Sequence, residues 1–254
     1  MCASGNPHDA SSAHDNVALR FSGAAALDLL QTERAVSRFS GNAFPVAPEA
    51  PPVAAADEEG MRLQILTESR IREALVQAID AAQPHDAIDI AVFYLSHREI
   101  VQAIKRAQSR GVALRLLLDP NEDAFGRKKN GIPNRQVALE LSRLGVPLRW
   151  CDTHGEQCHS KFLMVSRADG SAELILGSAN FTRRNLDDYN LETSVRLLTG
   201  RESKVMSQAQ QWFEDYWHNR SGRRLSVEYE KYRDPSRWRY WFYRFMEASG
   251  WSTF

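Results

Sequence analysis

Cysteine is scarce in this sequence: Cys2, Cys151 and Cys158 are its three. That number is odd and too small for a disulfide framework, so the reading is a chain with free thiols in a reducing compartment. Net charge is also lacking. The 32 Lys and Arg balance 32 Asp and Glu, so no global positive field argues for nucleic acid. No run of about 18 apolar residues occurs, which excludes an expected membrane-spanning helix. The first residues have no basic stretch leading into an apolar one, and so no secretory signal. Together these absences point to a cytoplasmic chain that meets a membrane at most from its periphery.

What is present is a globular composition. Of 254 residues, 43% are hydrophobic and 25% charged, enough to bury a sizeable core. Residues 40–60 hold Pro45, Pro48, Pro51 and Pro52 among alanines and acids, the composition of a linker or long surface loop. This stretch separates a small N-terminal piece, 1–39, from a larger unit, 61–220. A segment rich in aromatic and basic residues, 221–254, follows.

The larger unit alternates strand and helix patterns. Strands are predicted at Arg62–Leu66, Ala87–Tyr94, Val112–Leu118, Leu148–Cys151, Lys161–Ser166, Ala172–Leu176 and Leu191–Leu197. Helical spacing of apolar residues predicts helices over Ser69–Ala82, His97–Arg110, Asn134–Leu144 and about 202–218, with Gly111 and Gly145 as stop signals. Alternation of this kind implies an α/β sandwich.

The chemistry gathers late in the chain. In a strand, residues two apart share a face, so His159 and Lys161 would place an imidazole beside an ammonium. Ser178 and Asn180, leaving the end of the next strand, would add a hydroxyl and a carboxamide, and Asn190 and Glu192 follow. Phosphodiester cleavage needs such a set: a nucleophile, groups that bear the developing phosphate charge, and a proton for the leaving alkoxide. Neutral imidazole is abundant near neutral pH and can attack phosphorus. Glu192 would orient a histidine and raise its basicity. Each residue also has an ordinary reading: a core histidine, a solvated lysine, a turn at Gly177-Ser178. A competing metal reading takes Cys151, His154, Cys158 and His159 as zinc ligands, in an order unlike common fingers.

His159-Ser160-Lys161 followed by Gly177-Ser178-Ala179-Asn180 resembles the HxK…GSxN signature of the phospholipase D superfamily, and the resemblance runs from Ala3 to about Trp217. It implies a phospholipase D-like sandwich, with a mixed central sheet flanked by helices. It also implies a mechanism through a phosphohistidine that needs no metal or cofactor. His159, Lys161 and Glu192 would be catalytic, with His159 as general acid and base by analogy with two-copy members. Lys161, Ser178, Asn180 and Asn190 would bind the phosphate. Three departures stand out. Ser166 replaces the family's aspartate, the turn at Arg167–Ser171 is longer, and only one HxK is present.

The N-terminal residues read as the end of a second copy. Ala3-Ser4-Gly5-Asn6 matches Gly177-Ser178-Ala179-Asn180 at an offset of 174, and the same offset sets Asn16 on Asn190 and Ala18 on Glu192. A strand-like run, Val17–Phe21, and an amphipathic helix, Ala24–Phe39, follow as they do after Asn190. Ser4, Asn6 and Asn16 would then be the remnant of a first half-site whose HxK strand would precede Met1. The complete entity would be the missing upstream half joined to this one, or a homodimer.

Two further segments carry expectations. The loop after Asp119 holds Arg127-Lys128-Lys129, a basic trio able to meet an anionic headgroup or a nucleic-acid backbone. Residues 237–254 interleave Trp238, Tyr240, Trp241, Phe242, Tyr243, Phe245, Trp251 and Phe254 with arginines. That mixture suits packing over the domain or a membrane interface, and base stacking less well. Three functions follow: a phospholipid-acting phospholipase D or cardiolipin-synthase-like enzyme, a homodimeric phospholipase D-like nuclease, or an inert half. Neutral charge and the remnant repeat count against nucleic acid.

Overall fold

A computed structural model describes residues 1–6, 12–42, 60–124, 127–220 and 222–251. Most of the expected 40–60 linker lies outside them. The described chain is organised by one eight-stranded mixed sheet. Its parallel part is β4 (Ala87–Val92), β5 (Ala113–Leu118) and β8 (Leu148–Cys151). The crossovers are α3 (Arg98–Arg110) and α4 (Asn134–Ser142), as parallel neighbours require. The other half is antiparallel: β9 (Lys161–Ser166) beside β4, then β10 (Ser171–Gly177), β11 (Thr193–Gly200) and β3 (Arg62–Thr67).

Alternation along the strands builds two cores. In β4, Ile88, Ile90 and Val92 face α3, α4 and α2 (Ser69–Ala81), whereas Ala91 joins Phe162, Met164 and Phe213 on the opposite face. Phe213 belongs to α6 (Lys204–His218), which covers that second face. Asp89 also points to the second face and is taken up by Arg115, which in turn reaches Glu214 of α6. The expected α/β sandwich is therefore present, with its sheet between two layers.

Boundaries depart from expectation in places with visible causes. α4 stops at Ser142, and Gly145 instead makes the turn into β8 with φ +77°. β11 begins at Thr193 because Leu191 is 62% exposed and contributes nothing to the sheet face. The sheet's outer strand, β12 (Ser226–Glu228), pairs with β8; no strand is legible there in the sequence. The C-terminal aromatic segment forms α7 (Arg237–Ser249).

The thiols also differ from expectation. Cys151 and Cys158 are joined in a disulfide, because the segment leaving β8 turns back beside its own end before β9 begins. That bond takes both sulfurs from the zinc reading, and no metal-binding group of His, Cys, Asp or Glu occurs among the described residues. Cys2 is a buried free cysteine.

The N-terminal residues form a two-stranded pair, β1 (Cys2–Ala3) and β2 (Ala18–Leu19). Ser4 N donates to Val17 O at 2.9 Å, and Val17 N donates back to Ser4 Oγ at 2.9 Å. The same two bonds join Ser178 to Thr193, at 3.0 and 3.1 Å. Cys2 opposes Leu19 as Leu176 opposes Val195. The first strand therefore matches at an offset of 174 and the second at 176. This differs from the register read in the sequence: at the second offset Asn16, not Ala18, takes the place of Glu192, and Asn190 falls on His14. The two-residue difference arises between the two strands. The helix behind the pair, α1 (Ala24–Phe39), runs as the periodicity predicts.

Candidate active site

His159 does not lie in the strand. β9 starts at Lys161, and His159 sits in the segment entering it. That segment is held from three sides. His159 N donates to Asp15 O at 2.9 Å, and Asp15 N donates to Gln157 O at 3.0 Å, so the N-terminal piece lies along it as a parallel bridge. Cys158 N donates to Asp119 Oδ2 at 2.9 Å. Phe93 O, at the end of β4, accepts from Asn121 and Asn134 at 2.9 and 2.8 Å, and Phe93 N donates to Ser160 O at 3.0 Å. His159 is 8% exposed. Its ring centroid lies 5.1 Å from that of Phe93 and 5.9 Å from that of His14, and its Nδ1 lies 3.1 Å from Asn16 Oδ1.

Lys161 is buried, with its ammonium 2.9 Å from His159 O and above the Phe93 ring. Burial pushes its pKa well below the ordinary lysine value, while Glu192 and Asp119 pull it back up. Burial of this kind leaves an ammonium poorly solvated, so an anion placed beside it would favour the charged form. Asp119 is the matching buried acid. Burial pushes its carboxyl up to about 7, against the hydrogen bonds from Cys158 N and Asn121 and the charge of Lys161.

The second strand end supplies the rest. Gly177 is required by close approach: a Cβ there would stand 2.3 Å from Thr193 O and 2.5 Å from Ser194 Cα. That packing sets Ser178 against β11, where its hydroxyl donates to Glu192 Oε2. The other oxygen of Glu192 accepts from Asn185 Nδ2, and Asn185 is fixed by Thr182. Asn180 Oδ1 is buried and has no hydrogen-bond partner. Asn190 lies elsewhere: its Oδ1 accepts from Arg184 at 3.2 Å on a half-exposed loop. Asn6 is exposed.

The structure thus gathers His159, Lys161, Ser178 and Glu192 around the ends of β9, β10 and β11. Glu192 engages Ser178 and Asn185, and His159 finds Asn16. Ser4 and Asn16 stand at this centre: Ser4 Oγ donates to Asn16 Oδ1, and that oxygen is the one beside His159 Nδ1. Asn185, Asp119 and Phe93 belong to the site and carry no motif. Asp119 before Pro120, closing an apolar run, is the one sequence signal that marks a strand end where such a residue can act.

A buried imidazole and ammonium at the strand ends of a mixed α/β sheet, with the Ser4–Val17 corner bonded like the Ser178–Thr193 one packed beside them, define a phospholipase D-like domain. Residues 75–217, more than half of the chain, match the family described as cardiolipin synthase, PLD-like domain, and the chain belongs to that family. Its fold is similar to that of Nuc from Salmonella typhimurium, a phospholipase D family member, at 20% identity and a TM-score of 0.51. That match covers 68% of this chain and 99% of Nuc. Polyphosphate kinase from Porphyromonas gingivalis matches 97% of this chain and 35% of its own, at 12% identity and a TM-score of 0.52. Phosphatidylserine synthase from Haemophilus influenzae Rd KW20 matches 92% of this chain and 54% of its own, at 12% identity and a TM-score of 0.48. No curated protein matches in sequence.

Proposed function

We propose that this chain carries one catalytic half-site of a phospholipid-acting phosphodiesterase or phosphatidyltransferase working through a phosphohistidine. The observation that carries the reading is the buried Lys161, its Nζ 2.9 Å from His159 O, at the start of β9 beside the strand end where β10 delivers Ser178. In the first step a neutral imidazole nitrogen attacks phosphorus and the bond to the leaving alkoxide breaks. A second imidazole, protonated, gives that alkoxide its proton. It then takes a proton from water or an alcohol, whose oxygen displaces the phosphoryl group and breaks the P–N bond. Lys161, Ser178 and Asn180 hold the phosphate oxygens, and His159 serves as the acid and base.

This cycle needs a second HxK. The packing of β1 bears on its source. Cys2 Sγ lies 3.4 Å from Thr193 O and 4.0 Å from Leu176 O, and Leu176 is the residue Cys2 matches in the repeat. Contact between equivalent positions is what a local twofold relation produces. β1 and β2 therefore sit where a second copy of β10 and β11 would sit, which favours a complementary half-domain over a second copy of this chain.

Lipid is favoured over nucleic acid by α7. Tyr243 and Glu247 bury one face of the helix, while Trp238, Trp241 and Phe245 on the other are 73%, 63% and 56% exposed beside arginines. Such a face suits the headgroup region of a bilayer. No helix among the described residues is long and apolar enough to cross a membrane.

Turnover of phosphatidylglycerol vesicles and of single-stranded DNA, by the wild type and by His159→Asn, tests the reading. Lipid turnover abolished by the substitution supports it. DNA cleavage without lipid turnover selects the nuclease, and loss of both at every chain concentration selects an inert half.

A further inference from the structure

We infer that the Cys151–Cys158 bond is a site of reversible thiol–disulfide exchange, open to a dithiol, and that it sets how firmly His159 is held. The inference rests on the reading of His159 as a reacting group. Cys158 immediately precedes His159, and its sulfur is joined to that of Cys151. Cys151 belongs to the sheet: it ends β8 and pairs with Ser226 of β12. The bond is therefore a strut from the sheet to the segment that carries the imidazole. Single hydrogen bonds add to it. Cys158 N donates to Asp119 Oδ2 at 2.9 Å, His159 N donates to Asp15 O at 2.9 Å, and Ser160 O accepts from Phe93 N at 3.0 Å. Asp15 is exposed, and its own N–H returns to Gln157 O at 3.0 Å. The Asp15 bridge thus leans on the same loop that the disulfide closes.

The loop can loosen without dragging the sheet along. Residues 153–156 are half-buried to exposed, with the His154 side chain 67% exposed. The stem before them is anchored independently of the disulfide, because Arg224 and Lys231 both bond the Asp152 carboxylate and Asp152 N donates to Leu225 O at 2.9 Å. Both cysteines are buried, yet Cys151 lines a pocket of about 430 Å³ together with Asp152, His154, Tyr216 and Arg223. A thiolate entering there reaches the Cys151 sulfur. It bonds to that sulfur, the S–S bond breaks, and the Cys158 sulfur leaves as a thiolate that takes a proton from water. The second thiol of the dithiol then displaces Cys151 and leaves as an internal disulfide, so the protein gains the two electrons that the dithiol loses. Cutting the strut frees residues 153–157 and weakens the Asp15 bridge with them, and the imidazole loses two constraints together. Misplacing a reacting group by about 1 Å costs up to about 100-fold in rate, so the bond state becomes a rate setting.

The full chain equilibrated with oxidised glutathione, and then with dithiothreitol, tests this. Alkylation after unfolding should count one thiol in the first sample, that of Cys2, and three in the second. In the reduced, folded chain amide hydrogen exchange should quicken in residues 153–159, and turnover of phosphatidylglycerol vesicles should fall by about tenfold or more. Oxidised glutathione should restore both. Cys151→Ser should match the reduced wild type with or without dithiothreitol. Three thiols in the oxidised sample, or a bond cut only when the chain unfolds, overturns the inference, and neither result needs a variant. Exchange that does not quicken on reduction also overturns it. So does quickened exchange with turnover intact, since the bond would then staple the loop alone. Absence of lipid turnover from every form, with exchange quickening on reduction, would sink the catalytic reading of His159 and leave the redox hold on its segment standing.

Discussion

The carboxylate of Asp119 accepts the backbone N–H of Cys158 at 2.9 Å, tying the end of β5 to the residue before His159. Its other oxygen accepts from Asn121 N at 2.7 Å. The acid is 2% exposed, and its burial couples the order of the site to pH.

Stability is expected to fall as pH rises from about 4 to about 7. The Asp119 carboxyl titrates near 7 in the fold against an ordinary 3.8, so between these values the folded chain holds a proton that the unfolded chain has released. Its contribution is fully present below 3.8 and is lost as pH rises through 7, at up to about 1.4 kcal/mol per pH unit. Glu140 acts in a separate window. Burial pushes it up, but Arg98 and Lys105 outweigh that and hold it at about 2, so its contribution exists above 4.5 and is lost toward 2. Urea unfolding from pH 4.5 to 8 reads the Asp119 slope, and Asp119→Asn should flatten it. An equally steep slope in the variant would refute the assignment.

Lys161→Met should unfold at a temperature equal to or above that of the wild type. Desolvating an ammonium costs more than its interactions with Glu192 and Asp119 return, as its lowered pKa shows, and a buried charge replaced by an apolar side chain of similar volume is often neutral or stabilising. Turnover should fall by about 100-fold or more, the scale of losing one preorganised charge-stabilising group. A variant that is strongly destabilised would mean that Lys161 is structural.

Much of this organisation is legible in the sequence. Lys161–Ser166 and Ala24–Phe39 keep their bounds, because each is an apolar pattern of one period closed by a clear break. The site is less legible, for physical reasons. His159 enters before the strand, held by Asp15 from 144 positions away, and no local pattern records such a bridge. Asn190 resembles a site residue in spacing, yet Arg184 claims it. The two-residue difference that sets Glu192 rather than Asn190 against Asn16 arises between the paired strands, where strand periodicity does not count the residues. The Cys151–Cys158 bond depends on how β8 and β9 bring the ends of their connection together, which cysteine count does not encode.

Gly177→Ala should cost about 3 kcal/mol, the upper range for forcing added volume into a packed site. The atoms a Cβ would strike are backbone, Thr193 O and Ser194 Cα, so β10 and β11 must separate to admit it. Ser178 rides on that contact through Thr193, and turnover should fall with stability. Urea denaturation checks the first effect. A change below about 0.5 kcal/mol, the range of ordinary surface substitutions, would show that the strands part easily here.

Substitutions on the two faces of α7 should separate stability from lipid binding. Tyr243 donates to Ser96 O and accepts from Arg98, both at 3.1 Å. Tyr243→Phe removes these bonds from a buried site and should cost about 1–2 kcal/mol with little effect on vesicle binding. Changing Trp238, Trp241 and Phe245 together to Ser removes side chains that are more than half exposed. It should leave the unfolding midpoint within experimental scatter while abolishing co-sedimentation with phosphatidylglycerol vesicles, because burial of apolar surface in the bilayer interface is the driving term. Retained binding by the triple variant would remove the membrane role from this helix and with it the structural preference for lipid over nucleic acid. Loss of binding together with loss of fold would instead show that the ridge packs against the domain.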